Sequence, residues 1–118
     1  MDSVNVIDLL KEEMQTDEAH LKVNAIHRLK TVANALSRDD FRSQLVPYLD
    51  ALAEEECDEV LFSIAAELGE PDVVENGGMD VTIPILEKLA KSDETVVRDQ
   101  AAESLQKLIK ELMSEADV

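Results

Sequence analysis

The side chains able to do chemistry are few and scattered. The single cysteine, Cys57, stands in the run EEECDE (residues 54–59). The carboxylates around it disfavour a thiolate, the form needed for attack or metal binding, so Cys57 reads as a small residue at a turn. His20 and His27 are seven residues apart. On a helix that spacing puts them near one face but about 10 Å apart along the axis, too far to share an ion. The run NGG (76–78) lacks the Lys and the preceding strand of a phosphate-binding loop. Carboxylate pairs abound, with 27 Asp and Glu in all. General acid–base work, however, needs a pocket that shifts a pKa, which convex helix surfaces do not supply. The residues therefore predict no catalytic group, no metal ligand and no cofactor.

What remains is charge on a surface. Between Arg42 and Lys88 there is no basic residue, while residues 43–87 carry twelve acids, five of them between Glu54 and Glu59. Such a run is either a solvated, solubilising turn or part of an acidic ridge that attracts a basic partner. The formal charge of −16 argues against nucleic acid and anionic membrane, because both require Lys and Arg to displace counterions from phosphate.

The elements that hold this surface follow from composition and periodicity. A chain of 118 residues is one domain, able to form a modest core but no large enclosed site. With 45% apolar residues, 3% aromatic, three Gly and three Pro, it reads as helical, packed on Leu, Val, Ile and Ala. One cysteine allows no internal disulfide. The opening MDSVNVIDLL resembles no secretory leader, and no window approaches the roughly 18 apolar residues of a membrane span. These features predict a reducing compartment, cytosolic (cytoplasmic) or nuclear.

The chain also repeats itself. TDEAHLKVNAIHRL (16–29) returns as SDETVVRDQAAESL (92–105), 76 residues on, which is twice a period of 38. A third copy, EECDEVLFSIAAEL (55–68), lies between them, with Val60 matching Leu21, Ile64 matching Ala25 and Leu68 matching Leu29. Independently, VPYLDALA (46–53) recurs as IPILEKLA (83–90), its prolines Pro47 and Pro84 being 37 residues apart. Two unrelated blocks with one period mark a repeat protein. The predicted units cover about 3–38, 39–77 and 78–115 of a single domain, 1–118.

Each unit reads as two helices. First helices carry Val6, Ile7, Leu9, Leu10 and Met14, then Leu45, Val46, Leu49 and Leu52, then Ile83, Ile85, Leu86 and Leu89 at helical spacing. Second helices carry Val23, Ile26, Leu29, Val32 and Leu36, and Val97, Ala101, Leu105, Leu108 and Leu112. Thr16 and Ser92 are predicted N-caps of second helices, and Ser37 with Asp40 a capping box. Gly69, Pro71, Gly77 and Gly78 are predicted to end one helix and turn the chain. Pro47 and Pro84 fall inside first helices, where a bend is expected. Helix pairs of this length, stacked face to face, predict an all-α fold: a right-handed α-solenoid of three HEAT-like repeats.

The wording is more specific than a generic repeat. LFSIAAELG followed by NGG and then IPILEKLAKSDETVVRDQAAESL resembles the N-terminal HEAT repeats of the scaffold (regulatory A) subunits of protein phosphatase 2A, over about Val6 to Leu108. Leu61 departs from the pattern by standing where Lys22 and Arg98 stand in the other units. That family strings together many more units than three, so the chain is expected to be a piece of a longer solenoid or a short relative.

The resemblance implies a non-catalytic scaffold whose turns and inner helices hold a regulatory (B-type) subunit. It also implies that the catalytic subunit docks on C-terminal repeats outside these three units. Carried over by position, the expected partner contacts are Glu55, Glu56, Asp58 and Glu59 of the second unit and Asp93, Glu94, Arg98 and Asp99 of the third. Arg98 has a competing role, pairing with an acid of a neighbouring unit. An importin- or armadillo-like adaptor for basic peptides is one alternative, set against by the absence of Trp and the presence of only four Asn. A HEAT-like metalloenzyme is another, set against because neither histidine is followed by the Glu of its iron-binding pairs.

Overall fold

In the computed structural model, which describes residues 6–70, 73–75 and 78–116 and leaves aside the side chains of Met79 and of residues 112–116, every stretch of helical periodicity is helix. Pro71, Gly77 and the Leu112 side chain lie outside the described residues. Helix α1 (Val6–Glu13) is followed by α2 (Ala19–His27) and α3 (Leu29–Ala35), separated only by Arg28. The second unit opens with α4 (Arg38–Asp40), runs without a break through a π-helical segment (Phe41–Leu45) into α5 (Val46–Glu55), and returns as α6 (Asp58–Glu67). After a helical turn at 73–75, the third unit is α7 (Met79–Leu89) and α8 (Thr95–Ala116).

The helices form an α-solenoid two layers deep. One layer holds the first helices, with α5 packed on α7; the other holds the second helices, with α2 on α6 and α6 on α8. The molecule measures 44 × 36 × 19 Å, and its thin dimension is about two helix diameters. One core runs through all three units. Ile7 and Leu10 meet Ala25, Ile26 and Leu29 of the first unit, followed by Leu45, Leu49, Val60 and Ile64 of the second and Ile85, Leu86, Val97 and Ala101 of the third, all buried. Each unit alone would leave an apolar face in water, and stacking removes it.

Three apolar positions differ from expectation. Leu21, matched by alignment to the fully buried Val60 and Val97, is 43% exposed, as is Leu9 to a similar degree. Leu105 is only partly buried, because its neighbour Ser104 takes the inward position and donates from Oγ to the Ala65 carbonyl at 2.7 Å. A buried hydroxyl is tolerated where it is hydrogen-bonded.

The prolines show how the first helices absorb a missing donor. Pro47 follows directly on the π-helical segment, in which Val46 N–H reaches back five residues to the Phe41 carbonyl. Widening the turn before Pro47 makes room for its ring against the preceding carbonyls without ending the helix. Pro84 sits inside α7 with Thr82 nearby, whose hydroxyl donates to the Gly78 carbonyl at 2.9 Å.

Capping is partly as expected. Ser37 caps α4, its Oγ accepting from Asp40 N–H at 3.1 Å. Thr16 and Ser92 do not act as N-caps. Each accepts from the N–H two residues on, Glu18 at 3.2 Å and Glu94 at 3.1 Å, and the helix begins one step later. The same hydroxyl turn, 76 residues apart in the sequence, stiffens both turns before the second helices.

Gly69 and Gly78 have different roles. Gly78 precedes α7 with φ +97°, a left-handed conformation that suits glycine. Gly69 is glycine for space, since a Cβ there would lie 2.5 Å from Ser104 Oγ and 2.7 Å from Ser104 Cβ.

Candidate functional site

The described acids of residues 43–87 include two populations, and the division is set by the repeat. One population faces cations one period away in sequence. Lys22 Nζ donates to both oxygens of Glu56, at 3.0 and 3.3 Å. Arg42 forks onto Asp80 at 3.1 and 2.6 Å, and Lys88 reaches back to Asp50 at 2.8 Å and Glu54 at 3.1 Å. Lys107 meets Glu70 at 3.1 Å, and His27 Nδ1 lies 3.5 Å from Glu67. Partners in all of these are 34 to 40 residues apart. Lys11 over the ring of Tyr48 at 5.3 Å follows the same register. Equivalent positions of adjacent units lie side by side in a stack, so a cation in one unit and an acid in the next form a ladder across the joint.

These pairs change the groups in them. The hydrogen bond that Lys22 donates to Glu56 holds it above the ordinary lysine range, and those that Lys88 donates to Asp50 and Glu54 do the same for Lys88. The Arg42 guanidinium holds Asp80 below the ordinary carboxylate range. Burial pushes Glu67 up, against the hydrogen bond from His27. Exposed pairs contribute little singly. Their common spacing places each of them at a joint between units.

The second population faces outward. Glu55, Asp58 and Glu59 of the second unit are exposed, as are Asp93, Glu94, Arg98 and Asp99 of the third. Glu56 is set apart from its neighbours: its side chain is 13% exposed and engaged by Lys22. Arg98 turns back on its own loop, its guanidinium directed at the Ser92 carbonyl (3.5 Å) and the Thr95 hydroxyl (3.3 Å), and not at an acid of another unit. Cys57 is exposed at the N-terminal boundary of α6. His20 is also exposed, 3.7 Å from Glu18.

Between the second helices the outward acids border apolar surface. A groove of about 470 Å³ is lined by Val23, His27, Asp58, Glu59, Phe62, Ser63 and Val96. Beside it, a depression of about 300 Å³ shares Phe62 and Val96 and adds Asp99, Gln100 and Glu103. Phe62 is 41% exposed and Val96 60%. Asp58, Glu59 and Asp99 of the expected contacts thus come together around one apolar floor, while Glu55, Asp93 and Glu94 lie outside these two linings. Phe62, Val96, Val23 and Glu103 were not expected. Their signal is phase: Phe62 and Val96 fall off the buried stripe set by Val60, Ile64, Val97 and Ala101, so the core does not require them to be apolar.

Among the described residues no group of three or more His, Cys, Asp and Glu could hold a metal ion, and no helix is long and apolar enough to cross a membrane.

No family model matches the chain. Curated relatives do. It is 40% identical over 114 residues to the human serine/threonine-protein phosphatase 2A 65 kDa regulatory subunit (A beta isoform), covering 93% of this chain and 18% of that protein. It is 41% identical over 106 residues to the serine/threonine-protein phosphatase PP2A 65 kDa regulatory subunit of Drosophila melanogaster, covering 88% and 18%. The protein phosphatase 2A scaffold subunit of Dictyostelium discoideum is 36% identical over 115 residues, covering 94% and 19%. The chain belongs to the protein phosphatase 2A scaffold-subunit family. It spans less than a fifth of the length of these relatives. Membership in the scaffold family fits the ladder, because a repeat stack of that kind depends on reproducible joints between units.

Proposed function

We propose that the chain acts as part of a non-catalytic scaffold that holds a phosphatase regulatory subunit, helping to assemble a phosphatase complex. The observation that carries this reading is the 40% identity over 93% of the chain to a human phosphatase 2A 65 kDa regulatory subunit. The fold supports it, since stacked helix pairs offer a long surface. In this reading the contacts are the outward acids Glu55, Asp58, Glu59, Asp93, Glu94 and Asp99 with Arg98, and Glu56 acts by holding its turn through Lys22. The catalytic subunit docks on C-terminal repeats of such a scaffold, outside these three units. The chain needs no cofactor, works in a reducing cytosolic or nuclear compartment, and makes no contact with nucleic acid or membrane.

Immobilised chain, incubated separately with purified regulatory and catalytic subunits of the phosphatase at moderate salt, tests the reading. The regulatory subunit is expected to be retained, whereas the isolated catalytic subunit is not. Retention of the catalytic subunit without the regulatory one would contradict it.

A further inference from the structure

The groove between α2, α6 and the start of α8 offers two kinds of binding surface at one place. Its floor is apolar, built from Val23, Phe62 and Val96, with Phe62 and Val96 shared by the adjoining depression. Both are large and exposed, although neither packs in the core. The ionisable residues lining the two depressions are Asp58, Glu59, Asp99, Glu103 and His27, with no Lys or Arg. His27 already faces Glu67 at 3.5 Å. The nearest cations along α8 are occupied: Arg98 is directed at its own turn and Lys107 at Glu70. Asp99 and Glu103 are one turn apart on α8, so their like charges repel until a cation lies between them.

We propose that this groove receives a segment of a protein partner in which apolar anchor side chains are flanked by Lys or Arg. One anchor enters the depression on the Val23 side of Phe62 and Val96, and another the depression on the Asp99 side. The flanking cations sit against Asp58 and Glu59 at one end and Asp99 and Glu103 at the other. Apolar burial supplies the anchoring and the acids supply orientation and speed of encounter. That the segment belongs to a regulatory subunit rests on the scaffold reading above; the chemistry of the groove does not.

The test uses a fluorescently labelled peptide, RKLSRLFKR, and two relatives of it. In one the Leu and Phe residues are replaced by Ser, and in the other the Lys and Arg residues by Glu. Anisotropy titration with the chain is expected to show binding of the first peptide alone, weakened by raising salt from about 50 mM to about 300 mM. The pair Phe62→Ser and Val96→Ser should lower its affinity at least about tenfold, as should Asp58→Lys with Asp99→Lys, while Glu87→Lys, at an exposed acid of α7 outside both linings, changes it less than about twofold. Circular dichroism melts check that the variants remain folded, as expected for exposed positions.

Equal binding of the serine peptide would overturn the proposal, since the surface would then be electrostatic only. So would failure of all three peptides to bind. A concentration-dependent dimer, abolished by Phe62→Ser and Val96→Ser, would give the groove to a second copy and overturn it as well. The scaffold reading is separable: if the Phe62→Ser, Val96→Ser protein still retains a regulatory subunit, the assignment of the groove to that subunit fails and the scaffold stands. If the unaltered chain retains no regulatory subunit but binds the first peptide, the scaffold fails and the groove stands.

Discussion

Gly69 shows how a single residue sets the distance between two helices. It follows the C-terminus of α6, buried against Ser104 of α8, which in turn donates to the Ala65 carbonyl. A methyl group there would displace Ser104 backward and strain that hydrogen bond. Gly69→Ala is expected to destabilise the chain by about 1–3 kcal/mol, measured as a lower midpoint of urea unfolding. A glycine before a predicted connection is legible in the sequence as a break; that it is required for close approach depends on Ser104, 35 residues away, and is not.

Glu67 is a second residue whose role depends on its neighbours. Burial raises its pKa above the ordinary 4.5, against His27 and Lys30, which lower it, and with Glu70, which adds to the rise. The folded chain therefore holds this proton more tightly than the unfolded chain. That contribution is fully present below the unfolded value and is lost as pH rises through the folded one. Glu67→Gln should accordingly be more stable than the unaltered chain at neutral pH, with the difference vanishing near about pH 4, in urea titrations across that range. A less stable variant at neutral pH would mean that the His27 contact outweighs burial.

Among the elements, the joints between units decide how the helices stack. The period of about 38 was readable from two blocks of sequence, and the cross-unit ion pairs of Lys22, Arg42, Lys88 and Lys107 repeat it within a few residues. Which acid of EEECDE would be taken was not readable, because Glu54, Glu55 and Glu56 are equivalent in type and differ only in helical phase. The end of α5 turns Glu56 toward Lys22 and leaves Glu55 outward. The π-helical segment escaped for a related reason: Pro47 announces a disturbance, and only the packing of Phe41 and Leu45 decides that it is absorbed and not turned into a break. If the ladder fixes register, Lys22→Glu and Glu56→Lys should each lower the urea midpoint, and the two together should restore much of the loss. A double variant no better than the worse single one would show that the pair does not act as a unit.

For the whole molecule, stacking explains both the core and the surface. The stripes that face the core were legible because burial imposes a period on apolar residues. The apolar floor at Phe62 and Val96 was not, since exposure imposes no period. With a formal charge of −16, the stack attracts cationic surfaces over a Debye length, and in the proposed function the acids left outside the ladder decide where such a surface settles. The most direct test compares capture of a phosphatase regulatory subunit by the unaltered chain, by a chain with Glu55, Asp58 and Glu59 all changed to Lys, and by one with Asp50 and Glu54 changed to Asn and Gln. Loss of capture in the first variant and its retention in the second is the predicted result. Equal capture by all three proteins would contradict the claim that the outward acids hold the partner.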